Sequence, residues 1–282
     1  MRYIFLRYPE GKTKAVTFSY DDGLQSDLTM AEILFRHGMK GTFNLSSAGF
    51  GNPVNLSEEQ AKTGLIEKGF EIACHGKSHL SAARLRPART VEEVLDCRKE
   101  LEKMFGTIVR GYAYPDTSFL HSENGGNYEV TREILTLLDV AYARTLAGDN
   151  DRFSLPTDWL AWMPTAHGTN PELDVYIEKF VGLDVNGLYP SEKWPRLFYI
   201  WGHSSEFCAD WSRLESICDK LGGKADTWYA TNIEIYEYCH AYQQLIWSAD
   251  GLTVCNPTLL DLWLDAEGTT VKVPSGKTVH LN

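Results

Sequence analysis

The chain of 282 residues is the size of one α/β barrel or one large sandwich carrying a modest appendage. Its 38 acidic and 27 basic residues give a formal charge of −11, which supplies no positive field for nucleic acid or an anionic membrane and sets both aside as partners. Hydrophobic residues at 43% exclude disorder over most of the length, and 8 Trp with 14 Tyr also suit flat ligands such as sugar rings.

At the start, Tyr3-Ile4-Phe5-Leu6 is too short for the core of a secretory signal, and no later run approaches a membrane span. The six cysteines show no CxxC and sit largely in apolar runs, as reduced thiols do. A soluble, cytoplasmic protein is the expectation.

In chain order, a strand is expected at Lys14 to Tyr20, a helix from Asp27 to His37 stopped by Gly38, and a strand at Gly41 to Leu45. Ser57-Glu58-Glu59-Gln60 is a capping box opening a helix that ends at Gly69, before a strand at Phe70 to Cys74. Thr90-Val91-Glu92-Glu93 repeats the device, and Gly106 closes that helix. Ile108 to Tyr114 reads as strand, Tyr128 to Leu138 as helix and Val140 to Thr145 as strand; Asn170-Pro171 then caps a helix running toward Val181. A strand at Arg196 to Trp201, a helix from Asp210 to Leu221, a strand at Trp228 to Ala230 and a helix from Ile233 to about Leu245 follow. Repeated β-then-α units call for a parallel sheet, and seven or eight of them favour a closed barrel over an open doubly wound sheet. From Trp247 the pattern turns to short strands broken by Asp250-Gly251, Asn256-Pro257, Glu267-Gly268 and Ser275-Gly276. The expected division is a barrel over 1–246 and a small β-hairpin-rich appendage over 247–282 packed on it.

The residues able to do chemistry collect after strand ends. Asp21 and Asp22 close the first strand, His75 and His79 follow the third, Tyr114 and Pro115 the fourth, Arg144 ends the fifth, and Trp201 with His203 ends the seventh. Singly these patterns are weak: Asp-Gly is a common turn, and His-x3-His is commonly a solvated pair. Jointly they fall on the C-terminal face of the predicted sheet, where barrel enzymes keep their sites. Two imidazoles and a carboxylate form a ligand set for a divalent metal that leaves positions open.

Ser19-Tyr20-Asp21-Asp22-Gly23, His75-x-x-x-His79, Tyr112-Ala113-Tyr114-Pro115 and Gly202-His203-Ser204 resemble, in order, the motifs of the polysaccharide deacetylases, the NodB-type family 4 carbohydrate esterases. The resemblance spans roughly residues 14 to 246. It implies a distorted (β/α)7-8, TIM-like barrel with one divalent metal ion, Zn2+ by preference, on Asp22, His75 and His79. It further implies Asp21 as general base, His203 as general acid, a metal-activated water as nucleophile, and an acetylated saccharide as substrate, N- or O-linked. The chemistry asks for the same groups: hydrolysis needs an activated water and a proton for the leaving group, which a His titrating near neutrality can give. The oxyanion is expected to rest on the metal and on a backbone N–H near Tyr114 or Asp116.

Three departures stand out. The family's third-motif Arg is replaced by Ala113, so Arg110 or Arg144 has to supply the guanidinium, and Arg144 is preferred because it lies at a neighbouring strand end. Asp116 stands where an aromatic residue is common. Asp158-Trp159 is a counterpart of the family's Asp-Trp motif without a secure alignment. Trp162, His167 and Trp201 are expected along the cleft, while Lys77 and Glu206 are assigned to solvent or to support. The rival readings are opening of a cyclic imide or ureide on the same fold, a non-catalytic carbohydrate-binding barrel, and a two-His-one-carboxylate iron oxygenase, which the β/α alternation disfavours.

Overall fold

A computed structural model describes residues 3–116, 127–146, 148–149 and 151–281. A short strand β1 (Ile4–Arg7) precedes β2 (Lys14–Asp21), which is buried at every position. Helix α1 (Asp27–Arg36) leads through Gly38 to β3 (Gly41–Leu45). The Ser57–Gln60 capping box opens α2 (Glu58–Gly64), with Gln60 N–H donating to Ser57 Oγ and Ser57 N–H to Gln60 Oε1. This helix stops five residues before the expected end, and a separate 3₁₀ turn carries the chain to Gly69, at φ 82°.

After β4 (Glu71–Cys74) comes α3 (Pro87–Phe105), which corrects the expected start at Thr90. Pro87 takes the first helical position, where its missing N–H is harmless, so Thr90 lies inside the helix and its hydroxyl donates to Ala82 O. Next are β5 (Gly111–Ala113), α4 (Tyr128–Leu137) and β6 (Tyr142–Arg144). The two-residue β7 (Ala166–His167), too short to show a period, was not expected. The series closes with α5 (Leu173–Gly182), β8 (Arg196–Gly202), α6 (Ser212–Leu221), β9 (Thr227–Tyr229) and α7 (Asn232–Gln243). None of the described helices is long and apolar enough to cross a membrane.

The parallel sheet runs β6-β5-β4-β3-β2-β8-β7, with β9 pairing the start of β2. Its two edges are drawn together by one segment. Trp162 donates its N–H to Ala143 O of β6 and accepts from Thr145 N–H, and four residues later β7 pairs with β8. Alternation along β2 sends Val16, Phe18 and Tyr20 into the main hydrophobic core, which the helices cover. Thr17, Ser19 and Asp21 take the other face and are hydrogen-bonded inside the curled sheet. The architecture is the α/β barrel expected from the alternation.

Beyond α7 lie β10 (Ile246–Trp247), β11 (Thr253–Cys255), β12 (Leu262–Ala266), β13 (Thr269–Val273) and β14 (Thr278–His280). They form two antiparallel sheets, β10-β11-β14 and β1-β12-β13. The second sheet takes in a strand from within residues 1–246: β1 pairs along its length with β12, Ile4 opposite Ala266 and Arg7 opposite Trp263. Arg7 is buried and bonds Asp265 Oδ2 at 2.6 Å and Lys193 O at 2.6 Å, joining this sheet to the loop before β8. Tyr238 of α7 ties in the same strands, donating its hydroxyl to Arg7 O and accepting from Trp263 N–H.

Removing one partner of a buried ion pair strands the other charge. Asp265→Ala is expected to lower stability by about 3–5 kcal/mol in urea unfolding, whereas Glu10→Ala, which breaks an exposed pair with Lys12, is expected to cost under about 1 kcal/mol.

Candidate active site

The C-terminal ends of β2, β3, β4, β6 and β8 converge on one group of polar side chains. β2 ends in Asp21, and Asp22 turns the chain at φ 81°, held by Asn44 O accepting its N–H and by Asn55 Nδ2 donating to its carbonyl at 2.8 Å. Gly23 follows at φ 65°, and a Cβ there would meet Leu45 Cδ2 at 2.9 Å, so this turn needs glycine for conformation and for space.

Asp22, His75 and His79 place one ligand atom each within 4.8 Å of the others. Asp22 Oδ1 lies 3.4 Å from His79 Nε2 and 3.7 Å from His75 Nε2. His75 is buried, and its Nδ1 donates to Ala113 O at 2.9 Å, which leaves the Nε2 lone pair facing Asp22. Burial lowers the His75 pKa, against the pull of the Asp21 charge, and favours the neutral ring. His79 is at φ 55°, a rarely adopted conformation that aims its ring into the same space. The carboxylate, the two imidazoles and the fixed tautomer fit a divalent transition metal ion.

Asp21 is buried beside this set, its Oδ2 3.9 Å from His75 Nε2. Arg144 donates to Oδ2 at 2.5 Å and Asn44 to Oδ1 at 2.8 Å. Burial alone would raise the Asp21 carboxyl, but Arg144, His75, His203 and the Asn44 hydrogen bond outweigh it and hold the pKa below the usual value. Arg144 is itself fully buried, with its guanidinium 4.5 Å from the Trp201 ring centre. Arg110, by contrast, pairs with Asp139 at 3.3 Å on the outside of the sheet.

His203 approaches from β8, Nε2 3.8 Å from Asp22 Oδ2 and Nδ1 3.3 Å from Glu206 Oε1. The hydrogen bond to Glu206 is the largest influence on His203 and raises its pKa. Glu206 also accepts the His203 N–H at 3.0 Å, and His167 Nε2 lies 3.3 Å from Oε1. Beside Asp22 and His79 opens a cleft of about 480 Å³, lined also by Ser46, Asn55, Lys77 and Ser78.

Several expected wall residues lie elsewhere. Trp162 is completely buried against Tyr142, Trp159 and Tyr199, so it packs the closing segment and does not line a cleft. The Tyr114 ring is buried with its hydroxyl on Leu160 O, and its N–H donates to Arg144 O, which removes it as an oxyanion donor. Pro115 is buried and Asp116 is exposed at φ 52°. Trp201 is 9% exposed and supports Arg144. Asp158 accepts from Tyr128 and Arg132, away from this group. Sequence reasoning missed Asn44 and Asn55; a polar residue one position before the end of an apolar strand, beside Asp21, was the available signal for Asn44.

Residues 8–125 match the family described as polysaccharide deacetylase. The resemblance read from the motifs therefore holds over the segment containing Asp21, Asp22, His75 and His79, while Arg144 and His203 lie beyond it. "Putative polysaccharide deacetylase YxkH" of Bacillus subtilis strain 168 is 30% identical over 103 residues, 36% of this chain and 37% of that protein, so the match spans little more than a third of the relative's length. Among solved structures, PuuE allantoinase superposes with TM-score 0.58 at 12% identity, over 83% of this chain and 92% of that one. A mutant of BA3943 from Bacillus anthracis, a CE4 family pseudoenzyme, gives 0.52 at 16% identity, over 82% of this chain and 70% of that one. At such identities the likeness is one of fold.

Arg144→Gln would leave Asp21 buried without its cation, with an expected loss of about 3–5 kcal/mol near pH 7. In the wild type the depressed Asp21 pKa adds stability above the unfolded carboxyl value of about 3.9, lost as pH falls through the folded value. In the variant burial dominates and raises the carboxyl, so protonation relieves it. Thermal or urea unfolding as a function of pH should show the deficit of Arg144→Gln narrowing on acidification; a deficit constant with pH would contradict this account of Asp21.

Proposed function

We propose that this chain is a metal-dependent hydrolase that removes an N- or O-linked acetyl group from a saccharide. The observation that carries the reading is the placement of two oppositely tuned groups, Asp21 held anionic and His203 favoured in its protonated form, against one three-ligand set. Asp22, His75 and His79 would hold the ion, zinc or another divalent transition metal. Such an ion, when bound, polarises an acyl carbonyl and makes water more acidic.

Asp21 is the general base. Its oxygens are pinned by Arg144 and Asn44, so it stays ionised at neutral pH and in one orientation to take the proton of the attacking water. His203 is the general acid: Glu206 holds its Nδ1 side and favours the imidazolium, while Nε2 faces the donor set and protonates the departing amine or alcohol. With the Tyr114 N–H engaged by Arg144 O, a backbone donor for the oxyanion falls to the exposed turn at Asp116. Ser46, Asn55, Lys77 and Ser78 give the cleft polar and hydrogen-bonding walls suited to a hydroxyl-rich ligand.

The fold likeness to an allantoinase keeps ring opening of a cyclic ureide or imide as the second reading, since the same base and acid cleave an amide within a ring. Release of acetate from short acetylated saccharides, measured beside ring opening of cyclic imides, separates the two. The presence of base, acid, guanidinium and all three metal donors in one group favours catalysis over simple sugar binding.

Asp21→Asn and His203→Ala are each expected to cut turnover by at least about 10²–10⁴-fold while retaining the ion on Asp22, His75 and His79; full activity in either would overturn the assigned role. Glu206→Gln removes the main influence raising the His203 pKa. Because the acid acts only below its pKa, the alkaline limb of the rate profile should move to lower pH in this variant.

A further inference from the structure

A second group of donors sits on the far side of His203. His167, His203 and Glu206 bring ligand atoms within 4.8 Å of one another. Glu206 Oε1 is 3.3 Å from His167 Nε2 and 3.3 Å from His203 Nδ1. These separations are within hydrogen-bond reach and set both rings against one carboxylate oxygen. They equal the edge, about 3.3 Å, of a tetrahedron whose metal–ligand bonds are about 2.0–2.1 Å.

The group is held from outside itself. Thr169 holds His167 Nδ1 from outside, its N–H donating at 3.3 Å and its hydroxyl lying at 2.8 Å, so Nε2 is the ring nitrogen that faces Glu206 and the one whose proton a bound cation would displace. The Trp201 ring meets the His167 ring edge-on at 4.6 Å and fixes its plane. Gly202 supplies the space: a Cβ there would stand 2.8 Å from Glu206 Oε2 and 3.3 Å from His167 Nε2. All three side chains are partly exposed, between 25% and 32%, which leaves access from solvent and a position for water.

We propose that His167 Nε2, His203 Nδ1 and Glu206 Oε1 form a second divalent-cation site, separate from Asp22, His75 and His79 and selective for zinc-like ions over magnesium. Two imidazoles with one carboxylate favour a borderline transition metal over a hard cation. An ion on Nδ1 takes the place of the proton that makes His203 an imidazolium, so the ring can no longer serve as an acid near neutral pH. Filling this site therefore inhibits. The binding stands on the geometry above, and the inhibition rests on the acid role proposed for His203.

The test is equilibrium dialysis of chelator-stripped protein against rising zinc, counting metal per chain, with magnesium as control. Wild type should fill in two steps, His167→Gln in the tighter step alone, and Asp22→Asn in the weaker step alone. Glu206→Gln, expected to lose the same step as His167→Gln, guards against misfolding of either variant, and circular dichroism checks both. On an acetylated saccharide, wild-type turnover should rise and then fall with added zinc, and the fall should be absent in His167→Gln. One-step filling of the wild type that Asp22→Asn abolishes, or two-step filling retained in both His167→Gln and Glu206→Gln, overturns the proposal. A wild type that fills only the His167-dependent step supports this site and counts against the first.

Discussion

The buried pair of Arg144 and Asp21 constrains the whole upper layer of the barrel. It reaches across the interior from β6 to β2, strands separated in the sheet by three others. Neither charge can be left alone at that depth without a cost of several kcal/mol, so the curvature that lets the two side chains meet at 2.5 Å across the interior is coupled to the ionisation of the pair. Trp201 under the guanidinium and Asn44 on the second carboxylate oxygen complete the arrangement. Trp162, hydrogen-bonded on either side of Arg144, holds the sheet edge where the guanidinium starts.

Below this pair the interior continues as a polar column. Asn44 donates to Ser19; Thr17 donates to Asn232, which in turn donates to the Tyr199 hydroxyl. Thr42 accepts from the Asn232 N–H and donates to Glu71, whose other oxygen accepts from Tyr142. Burial lifts the Glu71 carboxyl to about 7. Polar partners along the inside of β2, β3, β4, β6 and β8 specify strand register more sharply than interchangeable aliphatic side chains do, because a slip of one residue strands every donor.

Much of this was readable from local sequence. Period-two and period-3.6 patterns located the barrel's main strands and helices, and an acid, imidazole or guanidinium at or just past a strand end marked Asp21, Asp22, His75, Arg144 and His203. What escaped depended on partners far apart in the chain. Nothing near Trp162 signals that it packs against Tyr142 and Tyr199 instead of facing a ligand, and nothing near Ile4 points to a strand more than 250 residues later. Pro87 prevailed over the Thr90 motif because a proline suits the first helical turn, whereas a capping motif one turn further along leaves that turn unexplained. Glu206 was legible in principle, three residues after His203, yet its contact with His167 as well needed β7 to be seen first.

The pairing of β1 with β12 has a consequence for biosynthesis. β1 leaves the ribosome more than 250 residues before its partner β12. Until residues 262–266 emerge, β1 has an open edge, and Arg7 is without the carboxylate of Asp265. The barrel strands, whose partners are nearer in sequence, can assemble in that interval, so the docking of β12 acts as a clasp on a nascent chain whose parallel sheet is already formed.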